Sequence, residues 1–376
     1  VQFCNLIQLI RATILDQADI EPQRAWWSVD SIIPVWFVDT PQTAQELQTR
    51  PELVKIVNCE IGEESEYVAH DRILSTLEKD NHTYRNVLCP ARAKGLEFPG
   101  VVLYRFGATV PRNLERILNG EVKLESPEDR LPLEYFFNRL YVSASRAKNQ
   151  LFVIEDQEAI EQFWHFATDS DVIDRLIDKV SKKHDWKAQT ELLHVGTPES
   201  WSGESISLLE QAKDYENQGR RGHDPYLMRQ AALAYRSAQN EVDSAKCVAL
   251  AYEWEEKYPE AGDKYRDIGE YLEAFRCYWT GRQWNQLVDL TKYDKTLADR
   301  LETRAADFVA HTDTAFKSFF EALTRAVVSD DWLAGARNDT TWHAVFEKAA
   351  DRLAKLPDEN NMPWDDIHAT FQRVLG

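Results

Sequence analysis

The chain has 376 residues, 43% of them apolar and 11% aromatic, enough for two or three domains with real cores, which argues against disorder over most of its length. A formal net charge of -19 argues against nonspecific phosphate binding by the chain as a whole, so any nucleic acid would have to sit in a local groove. Five scattered cysteines without a C-x-x-C argue against zinc and suit a reducing compartment. No window is apolar enough to span a bilayer and no leader pattern follows Val1, so an intracellular protein, cytoplasmic or nuclear, is expected, with no membrane partner. The opening valine reads as the start of a fragment.

Apolar residues at Phe3, Leu6, Ile7, Ile10 and Ile14 make a helical stripe over Phe3 to Leu15. Asp16 to Asp30 reads as a loop whose Trp26-Trp27 pair packs on the domain surface. Ile32 to Val38 is an apolar run with Pro34 near its start, a strand. Thr40 and Pro41 then supply an N-cap and first-turn proline for a helix to about Thr49. Leu53 to Val57 is a strand and Ser65 to Leu77 a helix with Val68, Ile73 and Leu77 on one side.

Two further apolar runs, Val87 to Cys89 and Val101 to Phe106, flank a polar loop carrying Lys94, Gly95 and Glu97. On its own this is a strand, a charged tip and a strand, with glycine where positive φ or close approach to a ligand is required. A link with a short helix around Arg112 to Leu118 and an acidic stretch, Glu121 to Asp129, leads to Phe136, Phe137, Leu140, Tyr141 and Ala144 at helical spacing. That helix is expected to run to about Lys148, with Arg146 and Lys148 complementing its dipole, before a strand at Leu151 to Ile154 and a helix at Gln157 to Ala167. Strands alternating with helices predict a parallel sheet covered on both faces.

Taken together, A-K-G-L-E-F at Ala93 to Phe98 and R-L-Y-V-S-A-S-R-A-K at Arg139 to Lys148 resemble motifs V and VI of the UvrD/Rep-like superfamily 1 helicases. The resemblance implies an α/β RecA-like fold, the second domain of a P-loop NTPase pair, over residues 1–167. It also implies ATP with Mg²⁺ as cofactor, single-stranded DNA or RNA as partner, and a first RecA-like domain of the same protein that supplies most of the nucleotide site. By the same resemblance Arg146 is the catalytic arginine finger, and Gly95 and Glu97 line the nucleotide with it. Arg92 and Lys94 are the nucleic-acid contacts, Cys89 and Ala91 standing where the family usually has Thr and His. No G-x-x-x-x-G-K-[ST] and no acidic Walker B strand occur, so this polypeptide alone is expected not to hydrolyse ATP. The large helical insertion of bigger family members is absent or reduced, which makes translocation as consistent as unwinding.

Asp169 to His184 is amphipathic and His194 to Gly203 a break, so residues 168–204 read as a linker and 205–376 as an all-α region. A-L-A-Y occurs at Ala232 to Tyr235 and again at Ala249 to Tyr252, with Tyr265 and Tyr278 following. The pattern resembles tetratricopeptide repeats, about 34 residues each, in loose form, and a generic helical-hairpin array covers it equally. Such arrays stack and commonly hold a protein partner, or here brace the α/β domain. Trp279, Trp284, Trp332, Trp342 and Trp364 read as core residues. A second reading of the whole is a helicase-derived scaffold with an inactive ATPase, its repeats binding a protein partner.

Overall fold

The computed structural model describes residues 1–15, 19–23, 34–80, 83–111, 114–118, 121–122, 124, 126–167, 169–180, 185–190, 193–201, 207–294, 296–310, 318–320, 322 and 344–349. The Trp26-Trp27 pair, Trp332, Trp342 and Trp364 lie outside them. The chain divides into two compact units, residues 1–222 with 229–239, and residues 223–228 with 240 onward.

The first unit is α/β. Its strands are β1 (Val35–Val38), β2 (Val54–Val57), β3 (Lys79–Asp80), β4 (Thr83–Tyr84), β5 (Val87–Leu88), β6 (Phe98–Tyr104), β7 (Ala147–Glu155) and β8 (His194–Val195). Six form one sheet in the order β5-β2-β6-β7-β1-β8, every pairing parallel, while β3 and β4 make a separate antiparallel hairpin. Parallel strands need crossovers and coverage on both faces, and the central strands are accordingly apolar along most of their length. On one face Trp201 stacks on Phe37 and Phe152 at centroid distances of 4.2 and 5.0 Å, so part of the expected break at His194 to Gly203 is woven into the domain through β8 and this tryptophan. Elsewhere helix Gln2–Ile14 packs against helix Pro127–Ala144.

Local chemistry moves several expected boundaries. Asp71 stops the third helix at His70, because its Oδ1 accepts the Ile73 and Leu74 N–H groups. Helix Pro127–Ala144 starts well before Phe136, the first residue of its expected apolar spacing, at the cap Ser126 with Pro127 at its first position, and tolerates Pro132 in its opening turns. It ends before Arg146, since β7 begins at Ala147 and recruits the chain into the sheet. Residues beyond the expected boundary at 204 also belong to this unit. Helix Leu208–Gly222 contributes Gln211, whose Nε2 donates to the Glu52 carbonyl at 3.1 Å. Gln230 accepts the Asn86 N–H at 2.6 Å and donates to the Tyr84 carbonyl at 2.8 Å, satisfying backbone groups where Asn86, at φ 52°, turns from β4 into β5.

The second unit is helical, with helices Glu241–Trp254, Tyr258–Asp267, Tyr271–Thr280, Trp284–Leu290 and Thr296–Ala310. Left-handed residues at Glu256, Gly269 and Arg282 fall thirteen apart, and each closes the preceding helix in the same way. The next residue's N–H donates to a tyrosine carbonyl, Lys257 to Tyr252, Glu270 to Tyr265 and Gln283 to Tyr278, at 2.9, 2.9 and 2.8 Å. This is the glycine-type helix stop with its six-to-one bond. The repeat is therefore one helix and one tight turn of thirteen residues, so that a helix pair takes about 26, shorter than the 34 of a two-helix tetratricopeptide repeat. Trp279 and Trp284 pack edge to face at 5.5 Å within the core of this unit, as expected.

Only Gly269 of the three stops is glycine, and a left-handed side chain costs about 1–2 kcal/mol. Glu256→Gly and Arg282→Gly should each stabilise this unit by about 1 kcal/mol, read as a raised urea midpoint at constant slope, whereas Gly269→Ala should lower it.

Candidate functional site

Because β6 and β7 are adjacent and parallel, the segments that lead into them emerge at one end of the sheet. Into β6 leads the short helix Pro90–Ala93, then Lys94, Gly95, Leu96 and Glu97. Gly95 sits at φ 87°, a conformation that favours glycine, and the position a Cβ would take has nothing within 4 Å. Leu96 is buried and its N–H closes the turn on the Ala93 carbonyl at 3.1 Å, which leaves Lys94 and Glu97 exposed on either side.

Into β7 leads Arg146. Its carbonyl accepts the Phe98 N–H at 2.8 Å, the first rung joining the two entrances. Its guanidinium is half-buried and donates Nε to the Val142 carbonyl at 3.0 Å, Nη1 to the Leu96 carbonyl at 2.9 Å and Nη2 to Ser145 Oγ at 2.8 Å. Arg146 and the Gly95–Glu97 loop thus meet directly. All three acceptors are neutral, so the guanidinium keeps its charge uncompensated by any carboxylate among these contacts. Lys148 approaches Glu97 at 3.4 Å, an exposed pair of the kind that contributes under about 1 kcal/mol.

The two expected nucleic-acid contacts have different surroundings. Lys94 is exposed, whereas the Arg92 side chain is 11% exposed and its Nε donates to Glu64 Oε1 at 2.7 Å. Glu64 is fully buried, and its other oxygen accepts the Gly62 N–H at 2.8 Å. Arg92 therefore neutralises an interior carboxylate and pins the short helix, a partner that Glu64, in a charged E-E-S-E run, gave no reason to expect. Cys89 is buried, and burial followed by the nearby Glu64 charge pushes its thiol up to about 12, which keeps it protonated.

A second polar cluster lies at the opposite end of the strands. Arg105, at φ 50° just after β6, pairs with Asp39 beyond β1 and reaches Asp71 at 3.5 Å, and Asp71 also accepts the Tyr104 hydroxyl at 2.8 Å. Glu155, the last residue of β7, accepts the Trp164 indole N–H at 2.9 Å and the Gly107 N–H on one oxygen. Burial pushes its carboxyl up to about 7 despite those two donors. Sequence reasoning passed over these residues, although an acid ending the apolar run L-F-V-I-E was a visible signal. Among the described residues no group of three or more His, Cys, Asp or Glu side chains could hold a metal ion. Nor is any described helix long and apolar enough to cross a membrane. No protein-family model, curated protein or solved structure matches the chain.

Removing the Arg92 guanidinium strands a buried carboxylate, so Arg92→Met should cost about 3–5 kcal/mol in chemical denaturation. Glu155 holds its proton more tightly folded than unfolded, so its contribution is fully present below about pH 4.5 and is lost as pH rises to about 7. Glu155→Gln keeps the accepting oxygen and should flatten that fall in stability, measured by thermal melts across the same window.

Proposed function

We propose that residues 1–167 are the second RecA-like domain of a UvrD/Rep-like superfamily 1 helicase or translocase, completing an ATP site whose phosphate loop and Mg²⁺ ligands belong to a first domain of the same protein. The observation that carries this reading is the direct bond from Arg146 Nη1 to the Leu96 carbonyl, which joins the two motif-like segments at one end of β6 and β7.

Phosphoryl transfer is driven chiefly by cations set against the charge developing on the γ-phosphate. An arginine suits that task because its fork donates parallel bonds and stays protonated. Arg146 is held by neutral acceptors only, so its charge is available to an anion and its position is fixed by three bonds before the anion arrives. Gly95, with open space above it, lets a ligand come against the backbone, and Glu97 beside it can accept a hydroxyl such as that of a ribose. Lys94, exposed on the same loop, is the contact to nucleic-acid phosphates, while Arg92 acts one layer inward by holding the loop's helix on Glu64. MgATP, when bound, supplies the phosphoryl group and its metal charge.

One observation favours the second reading, a scaffold with an inactive ATPase: Nε, Nη1 and Nη2 of Arg146 each already have an acceptor within the chain. In the full-length protein, Arg146→Ala should reduce nucleic-acid-stimulated ATP hydrolysis by about 10³-fold or more, and Arg146→Lys, which keeps the charge and loses the fork, should recover only part of it. Unchanged turnover in Arg146→Ala would overturn the finger assignment, and absence of any turnover in the full-length wild type would favour the scaffold.

A further inference from the structure

Lys55 lies in the middle of V-K-I-V, strand β2, between β5 and β6, and is fully buried. Its Nζ donates to the Leu53 carbonyl at 2.8 Å. Its own N–H donates to the Asn86 carbonyl at 2.7 Å, which sets Arg85, the residue before Asn86, close alongside. Arg85 is 7% exposed, and its N–H is held on the Glu78 carbonyl at 3.1 Å. Glu78 pairs with the guanidinium at 3.6 Å from Nη1, its own side chain half exposed, and Glu52 adds a second negative charge acting on Arg85 and Lys55 alike. Nε and Nη2 of Arg85 are buried with no acceptor.

Both cations line one cavity of about 280 Å³, whose wall also carries Gln48, Thr76 and Glu78. Gln48 donates to the Thr76 hydroxyl at 2.8 Å, so the rim is polar as well. Burying cationic groups costs several kcal/mol, and here two stand together opposite the half-solvated Glu78, paired with Arg85, and the charge of Glu52 beyond it. Nε and Nη2 of the guanidinium remain unfilled after that pairing. The volume is just under the usual range for drug-sized ligands, about 300–1,000 Å³, and suits a small anion with a few waters at about 30 Å³ each.

We infer that this cavity is an oxyanion site, taking phosphate as the free ion or as the phosphate group of a small phosphomonoester, between the Lys55 ammonium and the Arg85 guanidinium. The unfilled Arg85 donors match an anion with several oxygens, and an arginine beside a lysine combines a forked donor with a point charge. The hairpin β3–β4 that carries Arg85 is braced for the task, since Arg236 pairs with Asp80 at 2.8 Å and Gln230 bonds both sides of the Arg85-Asn86 turn. Without an anion, burial and then the Arg85 charge lower Lys55 to about 7, with Glu52 opposing. A bound dianion returns it towards the ammonium form. The inference is independent of the helicase reading and needs no nucleotide to test.

The full chain is titrated calorimetrically at about pH 8 with sulfate, inorganic phosphate, glycerol 2-phosphate and acetate, in two buffers of different ionisation heat. Sulfate does not titrate near this pH, so buffer-dependent heat reports protein protonation. The expected result is sulfate and phosphate binding, with proton uptake on sulfate binding and acetate weaker. Lys55→Met, which replaces a buried amine by a stem of similar length, should abolish the uptake and weaken binding by about tenfold or more, and Arg85→Gln should weaken it by a similar factor. Glycerol 2-phosphate matching phosphate identifies a carried phosphate group, and its exclusion identifies the free ion. No sulfate or phosphate binding to the folded wild-type chain, or binding unchanged in Lys55→Met and Arg85→Gln, would overturn the assignment.

Discussion

The hydrogen bond from the Phe98 N–H to the Arg146 carbonyl ties together the two strand entrances on which the candidate site depends, ahead of a one-residue register shift between Phe98 and Gly100. Parallel strands share a direction, so once β6 and β7 are neighbours, the glycine loop before one and the helix end before the other must come out on the same side. Fifty residues of sequence between Leu96 and Arg146 are brought to hydrogen-bond distance by that single pairing.

The arginines of the first unit sort by the company they keep. Arg92 and Arg105 are matched with carboxylates, and their charge is consumed in holding the fold. Arg146 is matched with two carbonyls and a hydroxyl, which orient it without cancelling it. Arg85 has neither arrangement in full, and that deficit singles out its cavity. In a chain with a large excess of acid, unfilled donors on a covered cation are the informative feature, more than the presence of the cation.

The parallel α/β architecture, the helix cap at Thr40, the loop at Gly95 and its partner Arg146 were legible because periodicity, capping residues and glycine act locally. The early end of the third helix was not, since Asp71 stops it through side-chain bonds that compete with the helix rather than through Gly or Pro. Nor was the true extent of the first unit. Gln211 and Gln230 look like ordinary polar helix residues, and only the fold shows that they saturate backbone groups far away in sequence. Nothing in the acidic run Glu63 to Glu66 marks Glu64 as the member that the fold buries against Arg92. The thirteen-residue repeat was half visible as Tyr252, Tyr265 and Tyr278, while its non-glycine stops at Glu256 and Arg282 carried no turn signature.

The glutamine bonds to the Asn86 turn span 125 to 146 residues. During synthesis the α/β unit therefore cannot saturate that turn until roughly residue 230 has left the ribosome, although every strand of its sheet is made by residue 195. A nascent chain paused in between exposes a sheet edge whose closing residues do not yet exist, and it is in that interval that pairing with another nascent chain is most to be guarded against.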